Sequence, residues 1–425
     1  MQRGWTRILW AGRQRVPGDL PPLAVLCLVF LPFALGHYLS CLLRTINAVL
    51  APQLVAAAAL TPAQLGLLTS AYFFAFAAAQ LPVGLALDRL GPRRVQSVML
   101  LVAATGTLAF AGSGTFAQMV SARTVMGLGL AGCFMAAVKA VSTWISPARL
   151  PSVQGYMIAA GGLGAASSTL PVRLALHHMD WRWVFIWLAA ACVLTAAAIL
   201  LLTPTPPATQ PKPFHRRMLA EISGHAAFRE VAALVLVPHM VFFGVQGLWI
   251  GRWLHDVAKL DEQAVAWLLY LSMAGVIFGA IAVGMLTEWA ARHGVPPLTL
   301  ASVGVALFIV VQSGFLFSWA PTFPLLSVMF TLVGTITGIE YAIVAQSMPR
   351  NLTGRASTFL NLLIFLGASA VQAGFGVVLS MWQPDAASRF PAAAYQAAFG
   401  ILIAAQLPGL GCFVLRQRRL VRGTL

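Results

Sequence analysis

The feature that most constrains this chain is a series of apolar runs that are almost free of charge. The stretch from Trp183 to Thr203 is one of them, and similar runs recur at short intervals along most of the sequence. A helix of about 20 apolar residues is long enough to cross a bilayer. Of the 425 residues, 59% are hydrophobic and 9% are charged, whereas a soluble chain is about 25% charged. The sequence therefore excludes a soluble globular domain and predicts an all-α integral membrane protein.

Charged and proline-containing stretches divide the chain into twelve such runs. We predict spanning helices at 23–50, 64–87, 95–113, 118–145, 152–172, 183–203, 231–255, 264–287, 297–319, 322–346, 355–382 and 393–415. The longest polar stretch is rich in proline, which predicts a cytoplasmic linker at 204–230 between two pseudo-symmetric six-helix bundles, 23–203 and 231–415. Residues 1–22 and 416–425 are predicted to be basic cytoplasmic tails, because the first of them lacks the long apolar core of a cleaved signal peptide.

The basic residues are distributed unevenly between the two sides of this topology. With both termini in the cytoplasm, 19 of the 27 Lys and Arg residues fall on the inner side, two fall within helices and six fall outside. The outer ones are Arg123, Arg173, Arg182, Arg252, Lys259 and Arg389. Cytoplasmic loops retain the excess of Lys and Arg. The net charge of +16 is therefore attributed to orientation in a lipid bilayer, with no nucleic-acid partner, and an inner-membrane location is expected.

The two predicted bundles are similar at a fixed offset. Gly84 and Asp88, at the end of the second predicted helix, recur 200 residues later as Gly284 and Glu288, at the end of the eighth. Many carriers are built from repeated halves that enclose a binding site near the middle of the bilayer. The sequence therefore indicates a duplication in which Glu288 corresponds to Asp88.

Two motifs resemble those of the major facilitator superfamily of secondary transporters. Residues 84–94 read G-L-A-L-D-R-L-G-P-R-R, similar to the family motif G-x-x-x-D-R-x-G-x-R-R at the end of the second helix. Arg123, Gly127 and Gly129 match the family pattern R-x-x-x-G-x-G in the fourth helix. The resemblance covers about residues 23–416. It implies a monomer with a twelve-helix fold that moves a small-molecule substrate by alternating access, without a cofactor.

The resemblance also implies that the first motif forms a cytoplasmic gate. The residues concerned are Gly84, Asp88, Arg89, Gly91, Arg93 and Arg94, with Glu288 in the second half. Asp88 is expected to face Arg93 and the start of the eleventh helix near Ser357, because a helix N-terminus attracts an anion. Alternatively, these residues are ordinary loop charges that only help to set the topology.

Three ionisable residues lie well inside the apolar runs: Arg44, Lys139 and Glu340. A lone charge at the bilayer centre costs about 2.5–3.5 kcal/mol even on the mildest scale, so each should face a wet cavity or a partner. Lys139 and Glu340 are 201 residues apart, close to the repeat offset, and we expect them to pair between the halves in the empty state. We predict that Arg44 and Lys139 attract an anionic group of the substrate, and that Glu340 carries a coupling proton. The alternatives are that Arg44 extends to the lipid headgroups and that Lys139 and Glu340 form a purely structural pair.

Other polar and aromatic side chains in the runs are further candidates for substrate binding. They are Asn361, Gln246, Gln372 and Tyr341, together with Asn47 and Trp249. Amides can equally join helices within lipid, and a Trp near a helix end is often an interface anchor. The positive residues in the runs favour a small organic anion as the substrate. A zwitterionic substrate is the alternative, because pairing Lys139 with Glu340 would leave Arg44 as the one unpaired positive charge among these three residues.

Three other functions are alternatives to transport of an organic anion or zwitterion. A copper importer would use soft ligands, but His37, His239, Met240 and Met273 include no pair at i, i+4 spacing. The fifth predicted helix lacks the Gly-Pro pair typical of the family's drug antiporters, which weakens the case for a drug exporter. A membrane sensor that uses the carrier fold without transporting a solute is the third alternative function. The sequence contains no H-E-x-x-H motif and no Walker loop, so we expect no enzymatic activity, no metal site and no cofactor.

Overall fold

The computed structural model describes residues 21–145, 150–204, 217–317, 322–348, 353–385 and 387–423. Within these ranges the chain is helical apart from short connections, and it contains no β-strand. The predicted N-terminal tail up to residue 20, the linker residues 205–216 and residues 424–425 lie outside the described part. The all-α prediction is confirmed for the residues that are described.

Ten of the described helices are long and apolar enough to cross a bilayer. One of them, Pro62–Ala111, bends at Gly91 and supplies two spans, and Leu150–Ser167 with Leu170–Ala175 supplies a further one. In chain order the spans are α1 (Pro22–Thr45, continued by Asn47–Ala58), α2 (62–90), α3 (92–111), α4 (Phe116–Trp144), α5 (Leu150–Ser167 and Leu170–Ala175), α6 (Trp181–Leu202), α7 (Ala226–Gln246, continued by Trp249–Asp256), α8 (Glu262–Arg292), α9 (Pro297–Leu316), α10 (Phe323–Gly334 and Ile339–Ser347), α11 (Thr353–Leu379) and α12 (Ala392–Gly423). The number of spans is the twelve predicted from the apolar runs.

Several helices extend beyond the predicted spans. α1 continues as Asn47–Ala58, α7 begins at Ala226 instead of residue 231, and α12 runs to Gly423 instead of residue 415. A short helix, Arg217–Gly224, occupies part of the predicted linker. Apolar composition marks only part of a helix, because the i to i−4 backbone hydrogen bonds of α7 and α12 continue into polar turns. The residues added to α1 are themselves mostly apolar, and Pro52 lies inside the helix instead of ending it. The boundaries predicted from composition are therefore too narrow at these ends.

The starts of α2, α4 and α6 are determined by local capping residues. Thr61 and Gln64 form a capping box at α2, and Thr115 and Gln118 form one at α4. Asp180 accepts a hydrogen bond from the backbone at the start of α6. These side chains satisfy N–H groups that have no partner within the helix. Because alternate spans run in opposite directions, the three starts lie at one end of the bundle, which we call the outer end.

The first family motif contains a turn that requires glycine. Gly91 has φ 78° and ψ 162°, a conformation that residues with a Cβ rarely adopt. Pro92 follows, and its fixed φ suits the first turn of a helix. Gly91 and Pro92 therefore separate α2 from α3 at the inner end of the bundle.

The two halves meet along α2 and α11 and along α5 and α8. In the first contact, the Ser369 hydroxyl donates to the backbone oxygen of Ser70 at 3.0 Å. In the second, Arg173 at the end of α5 forms an ion pair with Glu262 at the start of α8. The α5–α8 ion pair lies at the outer end, so the halves are held together there.

Gly129, in the second family motif, allows α4 to pack directly against the backbone of α3. A Cβ atom at this position would overlap the backbone nitrogen of Ala103. We expect Gly129→Ala to lower the free energy of unfolding by about 1–3 kcal/mol, the usual cost of overpacking a filled interior. Thermal unfolding of the purified protein in detergent measures this effect.

Gly400→Ala is the matched control for this prediction, because a Cβ at residue 400 of α12 would meet no atom within 4 Å. Alanine is favoured over glycine in a helix by about 1 kcal/mol, so this variant should unfold at an unchanged or higher temperature. Equal melting temperatures for Gly129→Ala and the parent protein would contradict the packing argument.

Candidate functional site

Arg44 lies between the two halves of the protein. Its guanidinium carbon is 5.2 Å from the ring centre of Phe243 in α7 and 5.8 Å from that of Phe365 in α11. A guanidinium over an aromatic face is attracted by the ring quadrupole. The alternative in which Arg44 extends to the lipid headgroups is wrong, because α1 directs this side chain towards the opposite half.

Arg44 has no acidic partner among the residues that the structure describes. Within the described part, its one hydrogen bond runs from a terminal nitrogen to the Cys41 sulfur at 3.5 Å, and its buried Nε has no partner there. A thiol is a weak acceptor. The positive charge of Arg44 is therefore not neutralised within this part of the protein.

Glu340 in α10 pairs with His239 in α7. The His239 Nδ1 and Glu340 Oε1 atoms are 2.5 Å apart, and the Glu340 side chain is fully buried. The second carboxylate oxygen, Oε2, has no hydrogen-bond partner within the described residues. The predicted pairing of Glu340 with Lys139 is therefore wrong in this structure.

The His239 ring connects this pair to Arg44. It stacks on Phe243 with ring centres 5.0 Å apart and meets the edge of Tyr341 at 6.1 Å. The Tyr341 hydroxyl donates to the Asn361 side-chain oxygen at 2.8 Å. We call this group the central cluster; its members are Arg44, His239, Phe243, Glu340, Tyr341, Asn361 and Phe365. Four of the seven predicted binding residues thus lie together: Arg44, Glu340, Tyr341 and Asn361.

Lys139 is not part of the central cluster. Its ammonium donates to the Asp88 carboxylate at 2.6 Å and to the backbone oxygen of Leu87 at 2.9 Å. Both partners belong to the end of α2, in the same half as Lys139. Lys139 was predicted to pair with Glu340 because the two residues occupy equivalent positions in the two halves. In the structure, each residue forms its ion pair within its own half.

The other residues of the first motif lie at the same inner end, where α2 ends and α3 begins. Asp88 contacts Lys139 rather than the predicted Arg93, whose Nε donates to the backbone oxygen of Leu200 at 2.9 Å. Arg89 and Arg94 are exposed, and nothing lies within 4 Å of a Cβ placed on Gly84. In the second half, Glu288 forms an exposed i, i+4 pair with Arg292 at 3.2 Å. The gating role of these residues stays a prediction.

Gln246 and Gln372 are buried away from the polar contacts of the central cluster. The Gln246 amide donates to the Met273 sulfur at 3.4 Å. The Gln372 amide has no side-chain partner in the described part, while its backbone oxygen accepts from the Trp249 indole at 3.1 Å. Gln372 lies eleven residues after Asn361 in α11, about 16 Å along a helix, so it cannot share one small ligand with Asn361.

Arg123, which the topology count placed in an outer loop, is instead fully buried inside the first half. It donates to the backbone oxygen of Leu43 at 2.8 Å and to the Asn47 side chain, and it lies over the ring of Phe110. Arg123 and Asn47 therefore join α4 to α1. Arg123 differs from Arg44 in that its hydrogen bonds and ring contacts within the described residues are with its own half.

His239, Phe243 and Phe365 were not predicted as binding residues. His239 was considered only as a copper ligand, and within the described residues no group of three or more His, Cys, Asp or Glu side chains could hold a metal ion. The i, i+4 spacing of His239 and Phe243 places both on one face of α7. That spacing was available in the sequence, but the partner Glu340 lies 101 residues away, and no local pattern links the two.

Comparison with known proteins supports the twelve-helix architecture. A solved structure titled as a bacterial homolog to the human lysosomal transporter Spinster, inward-facing and unoccupied, superimposes with a TM-score of 0.78 at 17% identity, covering 95% of this chain and 99% of that one. At this identity the likeness concerns the fold alone.

Two curated relatives match parts of the chain. The "Probable sulfoacetate transporter SauU" of Cupriavidus necator is 30% identical over 178 residues, which is 42% of this chain and 40% of the relative. The "Probable L-galactonate transporter" of Escherichia coli is 24% identical over 258 residues, 56% of each chain. The chain thus spans less than two thirds of the length of either relative.

The family model described as Major Facilitator Superfamily matches residues 33–372. This range includes both motifs, the inner-end turn at Gly91 and every residue of the central cluster. The match covers most of the chain and agrees with the observed fold, so this protein belongs to the major facilitator superfamily of membrane transporters.

Proposed function

We propose that this protein is a secondary active transporter that moves small organic anions across the inner membrane by proton-coupled alternating access. The observation that carries the proposal is Arg44, a cation between the two halves with no acidic partner among the described residues. A charge in a low-dielectric interior is costly unless it is paired. An anionic substrate supplies the missing partner, and the contact with both halves would let the substrate influence how they move.

The relatives are consistent with an anionic substrate. Sulfoacetate and L-galactonate, named for the two curated relatives, both carry an acid group that is ionised at neutral pH. Phe243 and Phe365 would cover the apolar part of such a molecule, while Tyr341 and Asn361 offer hydrogen bonds to its polar part.

Glu340 is proposed to carry the coupling proton. It is a fully buried carboxyl group beside His239, and its Oε2 atom has no partner among the described residues. A carboxyl group can bind a proton on one of its oxygens, so Glu340 could take up a proton on Oε2 and release it when the cavity changes sides. The same oxygen would accept from the ammonium of a zwitterion, which keeps amino acids as a second substrate class.

The proposed orientation places both termini in the cytoplasm. It rests on the 19-to-6 excess of Lys and Arg on that side, although Arg123 in the outer group is buried rather than in a loop. Moving Arg123 out of the outer group increases the contrast between the two sides. We propose that the carrier works as a monomer.

A thermal-shift screen of the purified protein tests this function. Organic anions, their neutral amides and free amino acids are added separately. Binding at 100 times Kd stabilises a protein by about 2.7 kcal/mol, which raises the melting temperature by several degrees. We expect at least one anion to do so and its neutral amide to have no effect. Equal shifts with anions and neutral analogues, or no shift with any anion, would contradict the proposal.

A further inference from the structure

We infer that His37 forms a second anion-binding position beside Arg44, so that the site accepts small molecules with two acidic groups. This inference rests on the proposed function and names the substrate class of the same site. His37, Cys41 and Arg44 lie at i, i+4 and i+7 positions of α1, a spacing that places them on one helix face.

The two basic side chains converge on one sulfur atom. His37 Nε2 is 3.8 Å from Cys41 Sγ, and a terminal nitrogen of Arg44 donates to the same Sγ at 3.5 Å. A thiol is a weak acceptor compared with an ionised acid group. Because both groups reach one atom, a ligand only a few bonds long can contact His37 with one acid group and Arg44 with the other.

Among the described residues, the surroundings of His37 provide no acidic partner for its ring. The ring lies 5.0 Å from that of Phe134 in α4, and on the α5 side it faces Gly161, where a Cβ would overlap Nε2. Its buried Nδ1 has no hydrogen-bond partner in the described part. Gly161 therefore leaves space for an imidazole whose Nδ1 atom is not used by the described part of the protein.

The test compares dianions with matched monoanions. Sulfoacetate and succinate are each paired with the monoamide in which one carboxylate has become neutral, and Kd is measured for all four by thermal-shift titration. We expect the parent protein to bind at least one dianion about tenfold or more tightly than its monoamide. In His37→Gln this ratio should fall to near one, because glutamine has a similar size but lacks the imidazole that contacts the second acid group.

The controls separate this inference from the proposed function. His293→Ala, at an exposed position after α8, should keep the parent ratio, and the melting temperature of ligand-free His37→Gln shows whether it is folded. Arg44→Ala should weaken the dianion and the monoanion together. The inference is overturned if the parent protein does not prefer either dianion, or if the preference survives in folded His37→Gln. Loss of the preference in His37→Gln supports it, whereas anion binding that is independent of Arg44 removes the proposed function itself.

Discussion

Replacing Arg44 with alanine is expected to reduce uptake of the anionic substrate about 100-fold or more. A hydrogen bond to a charged group contributes about 1.5–3 kcal/mol, so the two parallel bonds that a guanidinium can make to an acid group contribute about 3 kcal/mol or more. Each 1.4 kcal/mol is about a factor of ten in affinity. Arg44 has no acidic partner in the described part of the protein, so its charge is fully available to a ligand. Initial rates of uptake into proteoliposomes, measured with the anion found in the thermal-shift screen, give the effect directly.

Arg44→Lys distinguishes charge from shape. Lysine keeps the positive charge but lacks the planar group that lies over Phe243 and Phe365, and it cannot hold an acid group through two parallel hydrogen bonds. We expect an intermediate rate, about tenfold below that of the parent protein. If the lysine variant were as inactive as the alanine variant, stacking and geometry would matter more than charge.

Arg182→Ala is the matched control for the loss of an arginine. Arg182 also lies over an aromatic ring, that of Trp181, but it is at the outer start of α6 with 42% of its side chain exposed. Its removal should leave uptake unchanged. The Arg44→Ala protein should remain folded, since it loses a partly buried charge that forms no ion pair with any described residue. Normal uptake by folded Arg44→Ala would show that the anion binds elsewhere.

The fold could be predicted from the sequence because lipid imposes one dominant requirement on each span. A run of apolar residues such as 183–203 has to be a helix that crosses the bilayer, and Trp181–Leu202 is such a helix in the structure. The glycine in the motif at residues 84–94 was also informative, since Gly91 adopts the positive φ that ends α2. The helix ends were less predictable, because polar turns extend α7 and α12 beyond the apolar part.

The partners of the charged residues could not be predicted in the same way. Sequence periodicity shows which residues share a face of one helix, but not which neighbouring helix lies opposite or at what height. Lys139 pairs with Asp88 in α2, and Glu340 pairs with His239 in α7, at separations of 51 and 101 residues. The internal repeat makes Lys139 and Glu340 equivalent positions in two different halves. Equivalent positions need not lie in contact.

Replacing Glu340 with glutamine should separate coupling from substrate movement. Glutamine resembles a carboxyl group that is permanently protonated: it can still hydrogen-bond to His239, but it has no proton to release. We therefore expect accumulation driven by an inward proton gradient to fall about tenfold or more. Exchange of internal for external anion, which needs no net proton movement, should continue at near the parent rate.

Two assays on the same proteoliposomes make this separation measurable. The first follows uptake against a concentration gradient with acidic buffer outside, and the second follows counterflow at equal pH on both sides. Glu221→Gln is the matched control, because Glu221 is an exposed carboxyl group on the short helix Arg217–Gly224, outside the twelve spans. That variant should behave like the parent protein in both assays.

The sign of the pH effect gives a further check on Glu340. In the parent protein, acidifying the outer side protonates the outward-accessible carrier and should increase the uptake rate, whereas the Glu340→Gln variant should show little response to outer pH. If both proteins responded equally, the coupling proton would have to bind at another residue. If the variant lost exchange as well as accumulation, Glu340 would be required for substrate binding or for packing of α10 against α7, and its assignment as the proton carrier would be wrong.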